Sequence, residues 1–198
     1  GQVMFFGVIA ILFFQYFKGQ KIKSILMFSI VSSLIFITAY QSSNIFHTRV
    51  NSAVSDIQNY SSNQKTSVGL RVTFAINSWE LIIKNPLIGL GTGDFPNEYK
   101  KINLKNTPKL PNTVNPHNMY ILILAQLGFI GLISFFAIFY YQLQYALKSK
   151  NGLIRDIGIA MPLLFLIIMW SDSYLLGHYT TVMYVFFSSF LYKDFEKI

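Results

Sequence analysis

MYILILAQLGFIGLISFFAIFYYQLQYAL, residues 119–147, contains no charged side chain. As a helix it is long enough to cross the hydrocarbon core of a bilayer, about 30 Å or some 20 residues, and to project beyond it or tilt. The rest of the chain fits this reading. Hydrophobic residues make up 53% of it and charged residues only 12%, against about 25% charged in soluble domains. In lipid only helices and closed barrels satisfy the backbone. Uninterrupted apolar runs, rather than alternating ten-residue strands, choose helices. The expected fold is all-α: a polytopic transmembrane helical bundle with a large periplasmic loop containing short helices.

Working outward, the sequence predicts spans at about 1–17, 24–40, 119–147, 157–176 and 179–192, within a single membrane domain covering 1–198. Ser and Thr in the second span can bond back to the backbone or to neighbouring helices. Residues 41–118 form the long loop. Lys18, Lys21 and Lys23, then Lys148, Lys150 and Arg155, then the tail Lys193–Ile198 fall in or beside short gaps. All three clusters land on one side, the positive-inside pattern. That arrangement accounts for most of the +8 net charge without a nucleic-acid partner. There is no cysteine, hence no disulfide framework or thiolate metal site. The first residue is Gly, and the chain reads as a fragment that begins inside a longer protein.

Polar chemistry concentrates immediately upstream of the apolar run. Arg71–Lys84 predicts an amphipathic helix with Val72, Ala75, Ile76, Trp79 and Ile83 on one face. Asn85-Pro86 ends it. The loop Gly89-Leu90-Gly91-Thr92-Gly93-Asp94 follows, then a basic, Pro-bearing stretch, Lys100–Asn115, expected to be irregular. At Asn115-Pro116-His117-Asn118, Asn115 makes a good N-cap and Pro116 a good first helical residue. His117 then falls in the first turn, where the helix dipole favours a neutral imidazole able to accept a proton. An interfacial His that merely caps or packs is the competing reading.

Arg71 can grip a phosphate with two donors; by itself it reads equally as an exposed basic residue. Arg49, Lys84, Lys100, Lys101, Lys105 and Lys109 make the whole loop basic and suited to an anionic ligand or lipid headgroup. Gly91 and Gly93 allow unusual backbone angles and amides aimed at an anion; the alternative is a tight turn re-entering the membrane surface. Gly128, Gly131 and Ser134 offer a small-residue face for another helix. Asp172, near the end of the fourth span, should have a partner or a task. His178 falls in a tight turn after Gly177. Three scattered His and no close carboxylate spacing argue against a metal site.

Arg71, Trp79, Asn-Pro-Leu-Ile-Gly-Leu-Gly-Thr-Gly-Asp-Phe (85–95), His117-Asn118-Met119-Tyr120 and Gln126-Leu127-Gly128-Phe129-Ile130-Gly131-Leu132 together resemble the bacterial O-antigen ligase and polymerase family. That family also includes protein O-oligosaccharyltransferases. The resemblance covers about Arg71–Leu132 at motif level and identifies the chain as the C-terminal part of a longer inner-membrane protein. It implies a glycosyltransferase with its active site facing the periplasm. Such an enzyme moves a glycan from undecaprenyl pyrophosphate to an acceptor glycolipid or glycan among membrane lipids, with no nucleotide sugar, cofactor or metal. It places the family's essential His on His117 and a loop Arg on Arg71. Gly91, Gly93 and Asn118 join Arg71 as expected substrate-binding residues. A transporter of lipid-linked glycan is the rival from another class. It predicts broken helices and paired hydrophobic repeats, and neither is read in the sequence.

Overall fold

The computed structural model describes residues 2–17 and 19–192, without the side chains of residues 2–4 and 178. The expected cationic positions Lys18 and Lys193–Ile198 lie outside the described residues. The chain is all-helical there, with no strand: α1 (Gln2–Tyr16), α2 (Lys21–Ser42), α3 (Asn44–Gln58), α4 (Ser67–Lys84), α5 (Phe95–Asn106), α6 (Met119–Lys148), α7 (Gly152–Ile168) and α8 (His178–Leu191). A short 3-10 turn, Tyr174–Leu176, precedes α8. Two helices, α2 and α6, are long and apolar enough to cross a membrane.

Several expectations need correction. The stretch Lys100–Asn115 is not irregular throughout, because α5 runs to Asn106. Buried Phe95, Tyr99 and Ile102 recur on one side of it, a helical spacing masked by the lysines between them. Residues 44–58 are also helical. The amphipathic helix starts at Ser67, capped by the Thr66 hydroxyl, which accepts from the Gly69 amide at 3.1 Å.

Its inward face is not the apolar one. Thr73, Phe74, Asn77, Ser78, Leu81 and Ile82 are buried, whereas Ile76, Trp79 and Ile83 are 55%, 53% and 61% exposed. Burying Asn77 costs little because both amide hydrogens are used. They go to the Tyr99 hydroxyl at 3.2 Å and the Thr107 hydroxyl at 2.9 Å.

The fourth apolar segment leaves the helix after Ile168, so Asp172 lies in the turn that follows α7. His178 is the first residue of α8, not part of the turn before it.

The main departure is in α6, which is broken at Gly128 (φ 64, ψ −163). An unbroken helix would pair the Phe129 amide with the Ala125 carbonyl and the Ile130 amide with the Gln126 carbonyl. Here the loop after α4 takes all four groups. Leu90 and Gly91 amides donate to Ala125 and Gln126 (both 2.9 Å), while Phe129 and Ile130 amides donate to Pro86 (2.8 Å) and Leu87 (3.2 Å). A loop and a broken helix satisfy each other, as buried backbone requires. The small-residue face on α6 therefore receives a loop at Gly128, not a helix.

Two cores follow. Phe74, Leu81, Ile82, Phe95, Tyr99, Ile102, Leu122 and Ala125 knit α4 and α5 onto the first turns of α6. Each large side chain buried there contributes about 1.5–3 kcal/mol. Phe139, Met161, Phe165, Ile168, Met169, Tyr184 and Leu191 join the second half of α6 to α7 and α8. Between them Gln142 accepts from the Tyr184 hydroxyl (2.9 Å) and donates to Ser188 (3.1 Å), a polar clasp of the kind that fixes helix pairs in apolar surroundings.

Candidate functional site

The local fold around His117 starts from Asn115. Its side-chain oxygen accepts from the His117 amide at 2.9 Å and from the Ser173 hydroxyl at 2.7 Å. This Asx turn, with Pro116 fully buried, swings His117 into a left-handed conformation (φ 55), an uncommon one for a residue with a side chain. The N-cap of α6 is then Asn118, not Asn115. Its side-chain oxygen accepts from the amides of Tyr120 (3.0 Å) and Ile121 (3.1 Å). His117 accordingly sits just before the helix rather than in its first turn, which frees its ring to turn toward the neighbouring turn 169–173.

Three hydrogen bonds bind that turn to residues 115–119. Met119 donates its amide to the Met169 carbonyl at 3.0 Å. Asn118 donates its side-chain NH2 to the Trp170 carbonyl at 3.0 Å. Ser173 supplies the bond to Asn115 already described. Together they bring Asp172 to His117, with Nδ1 and Oδ1 3.1 Å apart and the side chains 38% and 36% exposed. The Ser173 amide steadies the same carboxylate oxygen at 2.8 Å.

An ionised carboxylate only accepts, so Nδ1 carries the hydrogen and the lone pair of a neutral ring falls on Nε2. No described residue bonds to Nε2. Phe74 stacks on the imidazole at 6.1 Å and 23° and closes one face. The result is an oriented imidazole with an open basic nitrogen, the arrangement a general base needs.

The other expected residues divide. Arg71 is exposed and makes no hydrogen bond or ion pair among the described residues. It stands one turn before Phe74, the ring stacked on His117, on the same side of α4. Asn118 is committed to capping α6 and to Trp170. Gly91 donates its amide to Gln126, about 12 Å along α6 from the cap; it belongs to the loop–helix junction and is not brought to His117. Gly93 (φ 90) has open space around it.

Asp172 as the partner of His117 escaped the sequence reading, as did Ser173 and Phe74, and Asn115 was read only as an N-cap. The one available signal was an ionisable residue at the end of an apolar segment.

Away from the imidazole, Glu80 on α4 binds Asn106 (2.7 Å) and Lys105 (3.0 Å) of α5. The Asn106 amide and then Lys105 hold its carboxyl below the ordinary range. No cluster of three His, Asp or Glu that could hold a metal occurs among the described residues.

Residues 1–136 match a family model described as O-antigen ligase. The chain belongs to the O-antigen ligase family. That family consists of membrane-associated, glycosyltransferase-like ligases and polymerases that work on lipid-linked glycans and polysaccharides. The matched part includes Arg71, the glycine loop, the break in α6 and His117, while Asp172 lies beyond it. No curated protein matches the chain.

Proposed function

We propose that this O-antigen ligase family member transfers a glycan from undecaprenyl pyrophosphate to an acceptor hydroxyl at the periplasmic face of the inner membrane, with His117 as general base. In this mechanism Nε2 takes the proton of the acceptor hydroxyl. The oxygen attacks the anomeric carbon, and the carbon–oxygen bond to the pyrophosphate breaks. The electron pair leaves with the lipid pyrophosphate, and attack from the opposite side inverts the anomeric centre.

Asp172 keeps Nδ1 protonated and stabilises the imidazolium that forms, as a carboxylate does behind a catalytic histidine. Arg71 meets the charge accumulating on the leaving pyrophosphate. The observation that carries this reading is the 3.1 Å contact between His117 and Asp172 with Nε2 left open.

A broken helix is also a feature of transporters, whose unwound segments line an ion or substrate cavity. Here the four backbone groups flanking Gly128 are paired with the loop 86–91, so the break is closed by the chain itself.

The deciding experiment is transfer by the full-length protein with and without His117→Ala. Purified lipid-linked glycan is the donor, and a glycolipid or a second lipid-linked glycan is the acceptor. The variant should insert normally and transfer to neither; wild-type transfer by it ends the base assignment. The acceptor that the native protein uses separates a ligase from a polymerase.

A further inference from the structure

A second polar site lies alongside α4. Ser61, Gln64 and Lys65 on one side and Thr107, Lys109 and Asn106 on the other line a cleft of about 440 Å³. Both walls are pinned before any ligand arrives. On the α5 side, Asn103 donates to the Leu110 carbonyl (3.0 Å) and to Asn112 (2.9 Å) and accepts from Thr107 (2.7 Å). Thr107 also receives a bond from Asn77 (2.9 Å). On the other side, Tyr60 bonds Thr73 (3.0 Å), the Asn63 amide bonds the Asn59 carbonyl (2.8 Å), and the Lys65 amide bonds Asn63 (3.1 Å).

The side chains facing the opening are, by contrast, uncommitted. Among the described residues, those of Ser61, Gln64, Lys65 and Lys109 have no hydrogen-bond or ion-pair partner. The pinned backbone of the walls needs no reordering on binding; only the free side chains give up rotamer freedom.

Its chemistry is specific. Hydroxyls and amides of the kind a sugar diol bonds share the walls with two ammonium groups, and no Asp or Glu lines the cleft. The nearest carboxylate known to bond a wall residue is that of Glu80, which Asn106 and Lys105 already occupy. The position is also informative. Tyr60, next to one wall, bonds Thr73, and Thr107 on the other wall bonds Asn77, so the cleft flanks α4 close to Phe74, the residue stacked on His117. A glycan extending from a donor at His117 can run along α4 into it.

We propose that this cleft is a subsite for an acidic glycan, binding sugar units some way along the chain from the reacting one through their hydroxyls and through carboxylate or phosphate substituents on Lys65 and Lys109. The inference rests on the transferase reading for its ligand class. Its test does not depend on transfer.

Binding of tetragalacturonate and of maltotetraose is measured by calorimetry on the full-length protein in phosphatidylcholine nanodiscs. The acidic tetrasaccharide should bind saturably and about tenfold or more tighter than the neutral one. Joint Lys65→Gln and Lys109→Gln substitution should weaken it about tenfold, with thermal unfolding unchanged. His117→Ala should bind as the native protein does, so a failed catalytic assignment and a failed subsite give different results. Lys84→Gln with Lys100→Gln is the control for a diffuse basic field. No saturable binding of the acidic tetrasaccharide, equal binding by the Lys65/Lys109 variant, or equal weakening by the control pair would each overturn the proposal.

Discussion

Gly89 and Gly128 stand back to back across the junction between the loop and the broken helix. A Cβ on Gly89 would fall 2.4 Å from the carbonyl oxygen of Gln126, and a Cβ on Gly128 would fall 2.4 Å from that of Leu87. Both glycines also have positive φ, at 72° and 64°. The clash is with backbone, and the backbone is held by the four hydrogen bonds that close the break.

Alanine at either position should therefore separate the loop from α6. The strained angle alone costs about 1–2 kcal/mol, and the lost hydrogen bonds add about 1 kcal/mol each. A clear fall in thermal midpoint, or loss of monodisperse protein, is expected for Gly89→Ala and for Gly128→Ala. The double variant should be little worse than either single one, because both break the same junction. Additive losses would mean that the two glycines serve separate purposes.

The pairing of His117 with Asp172 makes a sharper claim about chemistry. Asp172→Asn keeps the size of the side chain but adds a donor. The amide NH2 can turn toward Nδ1, which moves the ring proton to Nε2 and removes the base. Transfer should fall by about 10²–10⁴ in kcat, with KM for donor and acceptor little changed and thermal stability near native. A variant with native kcat would leave Asp172 as a tether for the turn 169–173 and nothing more.

How much of this was legible beforehand depended on whether the signal was local. The apolar run 119–147 announced α6, and the order of Arg71, the glycine loop and His117 announced the family. Asn-Pro-His-Asn was read one element out of place. Asn115 and Asn118 both cap well, and only the bond from Ser173, 58 residues away in sequence, gives Asn115 its other task. The buried face of α4 was misread because Asn77 and Ser78 count as polar in any periodicity. They become good interior residues only once Tyr99, Thr107 and the Phe74 carbonyl supply partners. The break in α6 was hidden for the same reason: a lone glycine in an apolar run reads as a packing notch until the complementary glycine arrives from another segment.

Orientation has a direct test. The lysines at 18–23 on one flank of α2, against the long segment beginning at Ser43 on the other, predict that residues 43–118 face the periplasm. Single cysteines at Ser62 and Gln20 are suitable probes, since both positions are exposed. Gln20 is preferable to Gly19, whose φ of 82° disfavours a side chain. In cells with a permeabilised outer membrane, an impermeant thiol reagent should label Ser62→Cys and not Gln20→Cys. Labelling of Gln20→Cys alone would turn the proposed site toward the cytoplasm and remove its lipid-linked donor.

Arg71 offers a way to separate specific recognition from positive charge in general. It is unpartnered among the described residues and stands one turn from the phenyl ring stacked on His117. Its planar fork fits two phosphate oxygens at once, which an ammonium cannot do. Arg71→Lys keeps the charge and loses the fork. One charge-assisted hydrogen bond is worth about 1.5–3 kcal/mol, so transfer should drop by about tenfold or more.

Lys100 and Lys101 provide the comparison. Both are on the exposed side of α5, and Lys101 is already paired with Glu98. Replacing both with Gln should change transfer by less than about threefold, because solvated charges are screened at physiological salt. The two variants are measured side by side at matched protein levels, with purified lipid-linked glycan and acceptor. If Arg71→Lys transfers like the native protein while the lysine pair is crippled, the pyrophosphate is held at α5. Arg71 then serves only the surface of α4.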